Sequence, residues 1–166
     1  MGTTIQKIVL SFSILVVSTI SIQSFAQGEK LCGTGTLLVG KKNVGLATYS
    51  AQNCSQSWLG QNIHMEFRYT ENIPEWAFKR AATHFLKKNV NNFKSDSALN
   101  QVTALYKPVK NGDIYRLSYL HTDQTLTLSL NNRELGRVKD PHIQQYFTIW
   151  LGNAPFSAKL KKQLLN

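Results

Sequence analysis

Residues 61–88, QNIHMEFRYTENIPEWAFKRAATHFLKK, hold two different periods in immediate succession. From Gln61 to Thr70 apolar and polar residues alternate: Ile63, Met65, Phe67 and Tyr69 share one face, and His64, Glu66, Arg68 and Thr70 the other. A period of two over this length is the signature of a strand with one buried face. Then the period changes. Pro74 suits a first helical turn, and Ala77, Phe78, Ala81, Ala82, Phe85 and Leu86 recur at helical spacing, which predicts a helix from Pro74 to Lys88. A half-buried strand followed at once by an amphipathic helix asks for helices layered against one face of a sheet.

Upstream of this stretch, Thr34–Val39 and Val44–Tyr49 read as two strands turning at Gly40-Lys41-Lys42-Asn43. Centring the hairpin there puts Cys32 nearly opposite Ala51, three residues from Cys54. A modest bend then brings the two cysteines within bonding range. Downstream, Ser95-Asp96-Ser97 offer caps for a second amphipathic piece carrying Leu99, Val102, Leu105 and Tyr106, ended by Pro108 and Asn111-Gly112-Asp113. Three strands follow, Ile114–Leu120, Thr125–Leu130 and Glu134–Val138, with Tyr115, Leu117 and Tyr119 on one face and Leu126, Leu128 and Leu130 on another. A two-residue turn at Asn132-Arg133 sets Leu130 opposite Leu135. Asp140-Pro141 opens a helix bearing Ile143, Phe147, Trp150 and Leu151 that stops at Gly152-Asn153, and Ser157 caps a last helix with Leu160, Leu164 and Leu165. The order β-β-β-α-α-β-β-β-α-α predicts an α+β fold, an antiparallel sheet with its helices gathered on one face.

The chain of 166 residues is 42% hydrophobic and 17% charged, which excludes disordered and collagen-like classes. Two cysteines are too few for a disulfide-stapled miniprotein. The one long apolar run is N-terminal, which excludes a multi-span membrane protein. Lys7 precedes an uncharged stretch from Ile8 to Ile22, and Ser24-Phe25-Ala26 places small residues where a signal peptidase needs them. A secretory signal over residues 1–26, removal after Ala26, a domain over 27–166 and a periplasmic or secreted location are therefore expected. Glu29-Lys30-Leu31 before Cys32 do not fit a lipid-anchoring signal. Losing the signal removes Lys7 and no acid, so the domain keeps nearly all of the chain's net charge of +10.

Motifs for catalysis are absent. The four histidines, His64, His84, His121 and His142, are far apart with no Cys pair beside them, so neither a metal nor a cofactor is expected. Gly33-Thr34-Gly35 has Leu38 where a dinucleotide fingerprint would need its third glycine. The basic doublets Lys41-Lys42, Lys79-Arg80, Lys87-Lys88 and Lys161-Lys162 read as solvated faces. They form no stripe for nucleic acid, which leaves attraction to anionic envelope surfaces. Tyr106, Tyr115 and Tyr119 suit either core packing, each hydroxyl satisfied at an edge, or the anchoring of a ligand. Arg68 needs a carboxylate or an anionic ligand if its face is covered, and nothing if that face is solvated.

Several short runs together resemble bacterial chalcone isomerase-like proteins: Ile63–Tyr69 followed by Ile73-Pro74, Asn111-Gly112-Asp113 before a Tyr-rich strand, Leu130-Asn131-Asn132-Arg133-Glu134-Leu135-Gly136, and Phe147–Gly152 followed by Pro155. The resemblance extends from about Leu31 to Leu165. It implies an open-faced β-sandwich with a ligand cleft between sheet and helices. Plant enzymes of the family use an arginine on the first strand and a threonine on the second to close a chalcone, and relatives bind fatty acids through the same arginine. Here Gly33–Leu38 contains no arginine, and Val44 stands in the threonine's place. The expectation is an exported, monomeric, non-catalytic domain binding a small hydrophobic molecule, with Arg68, Tyr106, Tyr115 and Tyr119 as ligand contacts and a Cys32–Cys54 disulfide. The alternatives are an isomerase or lyase on another substrate and an envelope interaction protein.

Overall fold

The computed structural model describes residues 28–165. Its strands are β1 (Lys30–Val39), β2 (Lys42–Ala51), β3 (Ile63–Tyr69), β4 (Ile114–Leu120), β5 (Thr125–Leu130) and β6 (Arg133–Lys139). Helices α1 (Glu75–Asn89) and α2 (Ala98–Ala104) lie between β3 and β4, and a 3-10 turn (Ile143–Phe147), α3 (Thr148–Leu151) and α4 (Ala158–Leu164) close the chain. The strands form one six-stranded sheet in sequence order, antiparallel throughout, as the α+β reading expects.

Period-two alternation sorts the two faces. One row runs from edge to edge on the inner face through Gly33, Tyr49, Met65, Leu117, Leu128 and Gly136. Its four large members are essentially water-free, each contributing about 1.5–3 kcal/mol by burial. The matching outer row is Thr34, Thr48, Glu66, Arg116, Ser129 and Glu134. Among the described residues, helices cover only the inner face.

The glycines at the ends of the inner row have a reason. A Cβ on Gly33 would lie 2.4 Å from the Leu164 carbonyl oxygen, so α4 reaches β1 only because no side chain intervenes. At the opposite edge, a Cβ on Gly136 would meet Leu105 Cδ2 at 2.7 Å. Helix ends are fixed by side chains: Ser97 accepts from the Asn100 amide, and Ser157 accepts from the Leu160 amide at 3.1 Å. The C-terminal end of α1 is held by Asn89, whose Nδ2 donates to Ala154 O and whose Oδ1 accepts from Ala154 N, both at 2.8 Å.

Three local expectations need correction. The β5–β6 turn is Asn131-Asn132, both residues at positive φ, so Leu130 faces Arg133. Asparagine tolerates the left-handed region that this turn demands at both positions, and arginine does so poorly. Leu135 falls in an irregularity between Leu128 and Ser129 on the partner strand and has no direct opposite. On β2, Lys30 faces Ala51, with Cys32 in a bulge between Leu31 and Gly33, so Cys32 is not opposite Ala51. The segment after Asp140-Pro141 is not one α-helix: Asp140 accepts from the His142 amide in an Asx turn, and a 3-10 stretch precedes the single turn of α3.

Cys32 and Cys54 are bonded, with Cα atoms 5.2 Å apart. Lys7, Ile8–Ile22 and Ser24-Phe25-Ala26 lie outside the described residues. Among the described residues no helix is long and apolar enough to cross a membrane. The bond joins positions 22 residues apart, and chain-entropy reasoning assigns such a loop about 3 kcal/mol. The Cys32→Ser/Cys54→Ser double variant should melt ~10 °C lower than the parent, and thiol labelling of the unreduced, denatured parent should find no free cysteine.

Candidate functional site

A cavity of about 210 Å³ lies between the ends of β1–β3 and the helices above them. Leu37, Val44, Phe67 and Tyr69 form its floor, and Ala77, Phe78, Ala81 and Ala82 of α1 its roof. Ile73, Tyr106, Ile149, Trp150 and Phe156 close the sides, and Val39, 57% exposed, borders its opening. The space follows from side-chain size. Ala77 and Ala81, one helical turn apart, turn methyl groups toward the strands, while larger residues around them hold the layers apart. Phe67 packs on Trp150 at 4.7 Å between ring centroids, and Phe78 stacks on Tyr106 at 5.3 Å. A wider depression of about 600 Å³ over Lys87, Phe93, Lys94, Asp96 and Asn100 is polar-lined and open to water.

Beside the cavity lies a tyrosine cluster. The Tyr115 hydroxyl accepts from Lys107 N and donates to Lys107 O, both at 2.7 Å, and so fastens the segment leading into β4. Thr103 Oγ1 donates to Leu99 O, leaving it to accept from the Tyr146 hydroxyl at 3.2 Å. Tyr106 and Tyr146 are buried as neighbours. Because Tyr146 donates to Thr103, it has only lone pairs to offer its neighbour Tyr106. Tyr69, only 8% exposed, packs edge-on against Phe78 and Tyr115, and its hydroxyl has no partner among the described residues. Burial raises all four pKa values: Tyr115 is pushed up to about 12, and Tyr69, Tyr106 and Tyr146 lie well above the usual phenol value. These hydroxyls are neutral hydrogen-bonding groups at any pH at which the protein works.

The four expected ligand residues separate. Tyr106 lines the cavity, and Tyr115 stands behind it, touching Tyr106, Tyr69 and Phe78 edge-on. Arg68 lies on the outer face of the sheet, 55% exposed, in register with Leu46 and Ile114 and 3.4 Å from Glu66 Oε1. Tyr119 packs on Phe147 away from the cavity, its hydroxyl 3.4 Å from His121 Nδ1. Tyr69, Phe78 and Trp150 were not among the expected contacts. The available signal was the pair Ala77 and Ala81 on an otherwise bulky helix face, directly after a strand ending in Phe67 and Tyr69. Among the described residues no group of three or more His, Cys, Asp or Glu side chains is placed to hold a metal.

The profile of a family described as chalcone isomerase-like matches residues 46–166. No curated protein sequence matches the chain. Among solved structures, the fatty-acid binding protein AtFAP1 of Arabidopsis thaliana superposes with a TM-score of 0.67 at 15% identity, covering 86% of this chain and 89% of that one. At that identity the likeness concerns the fold alone.

Removing the Tyr115 hydroxyl strips Lys107 of partners for both backbone groups, so Tyr115→Phe should cost about 1–3 kcal/mol in denaturant unfolding. Tyr119→Phe, which loses one long contact to His121, should cost less; the reverse order would contradict these assignments.

Proposed function

The chain belongs to the chalcone isomerase-like family, and from that premise we propose that it is a non-catalytic binding protein that shelters a small hydrophobic molecule between sheet and helices. The observation that carries this reading is the cavity over β1–β3, whose lining residues are apolar apart from the hydroxyls of Tyr69 and Tyr106 and the indole N–H of Trp150. Apolar walls with a few convergent polar groups are the usual make-up of a small-molecule site. The name of the Arabidopsis protein, a fatty-acid binding protein, supports an apolar ligand for this fold.

Catalysis of chalcone closure finds no support in the lining. It includes no Lys, Arg, His, Asp or Glu, and so offers no cation for a developing oxyanion and no group that exchanges a proton near neutrality. Loss of one preorganised oxyanion donor typically costs ~10²–10³ in rate. The first-strand arginine is replaced by Gly33–Leu38, and Val44 lines the cavity where the threonine would stand. The purified protein is therefore expected to leave chalcone cyclisation at the rate of the buffer blank. It should also bind an apolar fluorescent probe, and Ala81→Leu, which fills the void from α1, should abolish that binding while keeping or raising the melting temperature. Probe binding unchanged in Ala81→Leu would place the site elsewhere, and flavanone formation well above the blank would refute the non-catalytic reading.

We further propose export with removal of residues 1–26. Lys7, the apolar run and Ser24-Phe25-Ala26 support it, as does the Cys32–Cys54 bond, since such bonds persist in oxidising compartments. N-terminal sequencing of the protein from its source cell should begin at Gln27; a retained Met1 would overturn the proposal.

A further inference from the structure

Resting on the cavity reading above, we propose that the ligand is an uncharged molecule of one ring or a short chain bearing a hydroxyl group, which Tyr69 and Tyr106 hold, and that carboxylates of the same size are rejected. Three observations carry this.

The first is an unspent hydroxyl. A buried tyrosine usually finds a hydrogen-bond partner, yet Tyr69 lines the cavity with a hydroxyl that has none among the described residues. No fully buried side-chain oxygen among those residues lacks a partner, so the Tyr69 hydroxyl keeps some accessible surface, and its residue borders the cavity. It offers a donor and an acceptor.

The second is the direction of the neighbouring chain. Leu99 O accepts from Thr103, and Thr103 accepts from Tyr146, which leaves Tyr146 only lone pairs to offer the neighbouring Tyr106. The Tyr106 proton is drawn toward those lone pairs, which turns the oxygen of Tyr106 to the cavity as an acceptor. A ligand hydroxyl complements the pair by accepting from Tyr69 and donating to Tyr106. A carboxylate, which only accepts, would set its charge against the Tyr106 oxygen.

The third is the distribution of charge. No cationic side chain lines the cavity. Of the lysines on the segments that bound it, Lys42 is paired with Glu71 and Lys79 with Glu75, and Lys30, Lys41, Lys87, Lys88 and Lys107 are exposed and not part of the lining. An anion would have to leave water without a counter-charge, which costs several kcal/mol even after relaxation. The molecule's net positive charge draws anions to its surface but does not replace a partner at the bottom of an apolar pocket. Volume limits size: an engineered apolar cavity of about 150 Å³ holds benzene, so this one, at about 210 Å³, takes roughly eight to ten heavy atoms. That is smaller than a chalcone or a long-chain fatty acid.

The test compares ethylbenzene, 2-phenylethanol and phenylacetate near neutral pH, with binding followed by NMR shifts of the Tyr69, Ala81 and Ile149 signals. 2-Phenylethanol should bind at least about tenfold more tightly than phenylacetate, and Tyr69→Phe should weaken it about fivefold while leaving ethylbenzene unchanged. Retained ethylbenzene binding also shows that the variant is folded. If phenylacetate binds as tightly as the alcohol, or Tyr69→Phe leaves the alcohol unaffected, the inference falls while the hydrophobic-binding reading stands. If none of the three binds, both fall.

Discussion

Everything in this fold follows from a sheet that buries only one of its faces. Six antiparallel strands present a continuous apolar surface on one side, and no single helix spans it, so α1, α2, α3 and α4 must divide the task. They do not approach equally. At both edges of the sheet a glycine admits its cover closely, Gly33 beneath α4 and Gly136 beneath Leu105. Over the ends of β1–β3 the reverse holds: Phe67 against Trp150 and Phe78 against Tyr106 set the spacing with whole rings, and Ala77 and Ala81 do not fill what is left between them. The cavity is the difference between sheet edges closed on glycine and strand ends propped on aromatics.

Charge is sorted as strictly as size. Of the sheet's two faces the outer one carries charge pairs, with Glu66 between Arg116 at 2.9 Å and Arg68 at 3.4 Å. Such half-exposed pairs contribute little to stability, but on an uncovered sheet face they keep the surface solvated. The inner face carries hydroxyls in place of charges, and those of Tyr115, Tyr146 and Thr103 are spent on backbone groups or on one another. A site assembled from neutral, high-pKa phenols and hydrocarbon walls is suited to holding a molecule and poorly suited to moving protons.

The layers were legible in the sequence because they rest on periods. Alternation from Ile63 to Tyr69 and from Tyr115 to Tyr119 identified the buried face, and Ser97 and Ser157 announced their helices. What escaped was what periods do not encode. The bulge at Cys32 and the irregularity near Leu135 each insert one residue and slip a register that alternation alone cannot count. Asn131-Asn132 was misplaced by one residue, although the demand for two left-handed residues favoured the asparagine pair over Asn132-Arg133. Arg68 attracted attention as a charge beside aromatics, yet the same alternation already set it on the face opposite Phe67 and Tyr69. The cavity itself depends on the distance between two layers, which no linear pattern states; Ala77 and Ala81 were its only trace.

The most direct measurement is methyl NMR under xenon pressure, since xenon enters preformed apolar cavities whatever the natural ligand is. The methyl signals of Leu37, Val44 and Ile149, which line the space, should shift together and saturate, while those of Leu128, buried at the sheet centre, stay still. Uniform small shifts throughout the core, or none at the lining residues, would mean that sheet and helices pack to full density and that no binding site lies between them.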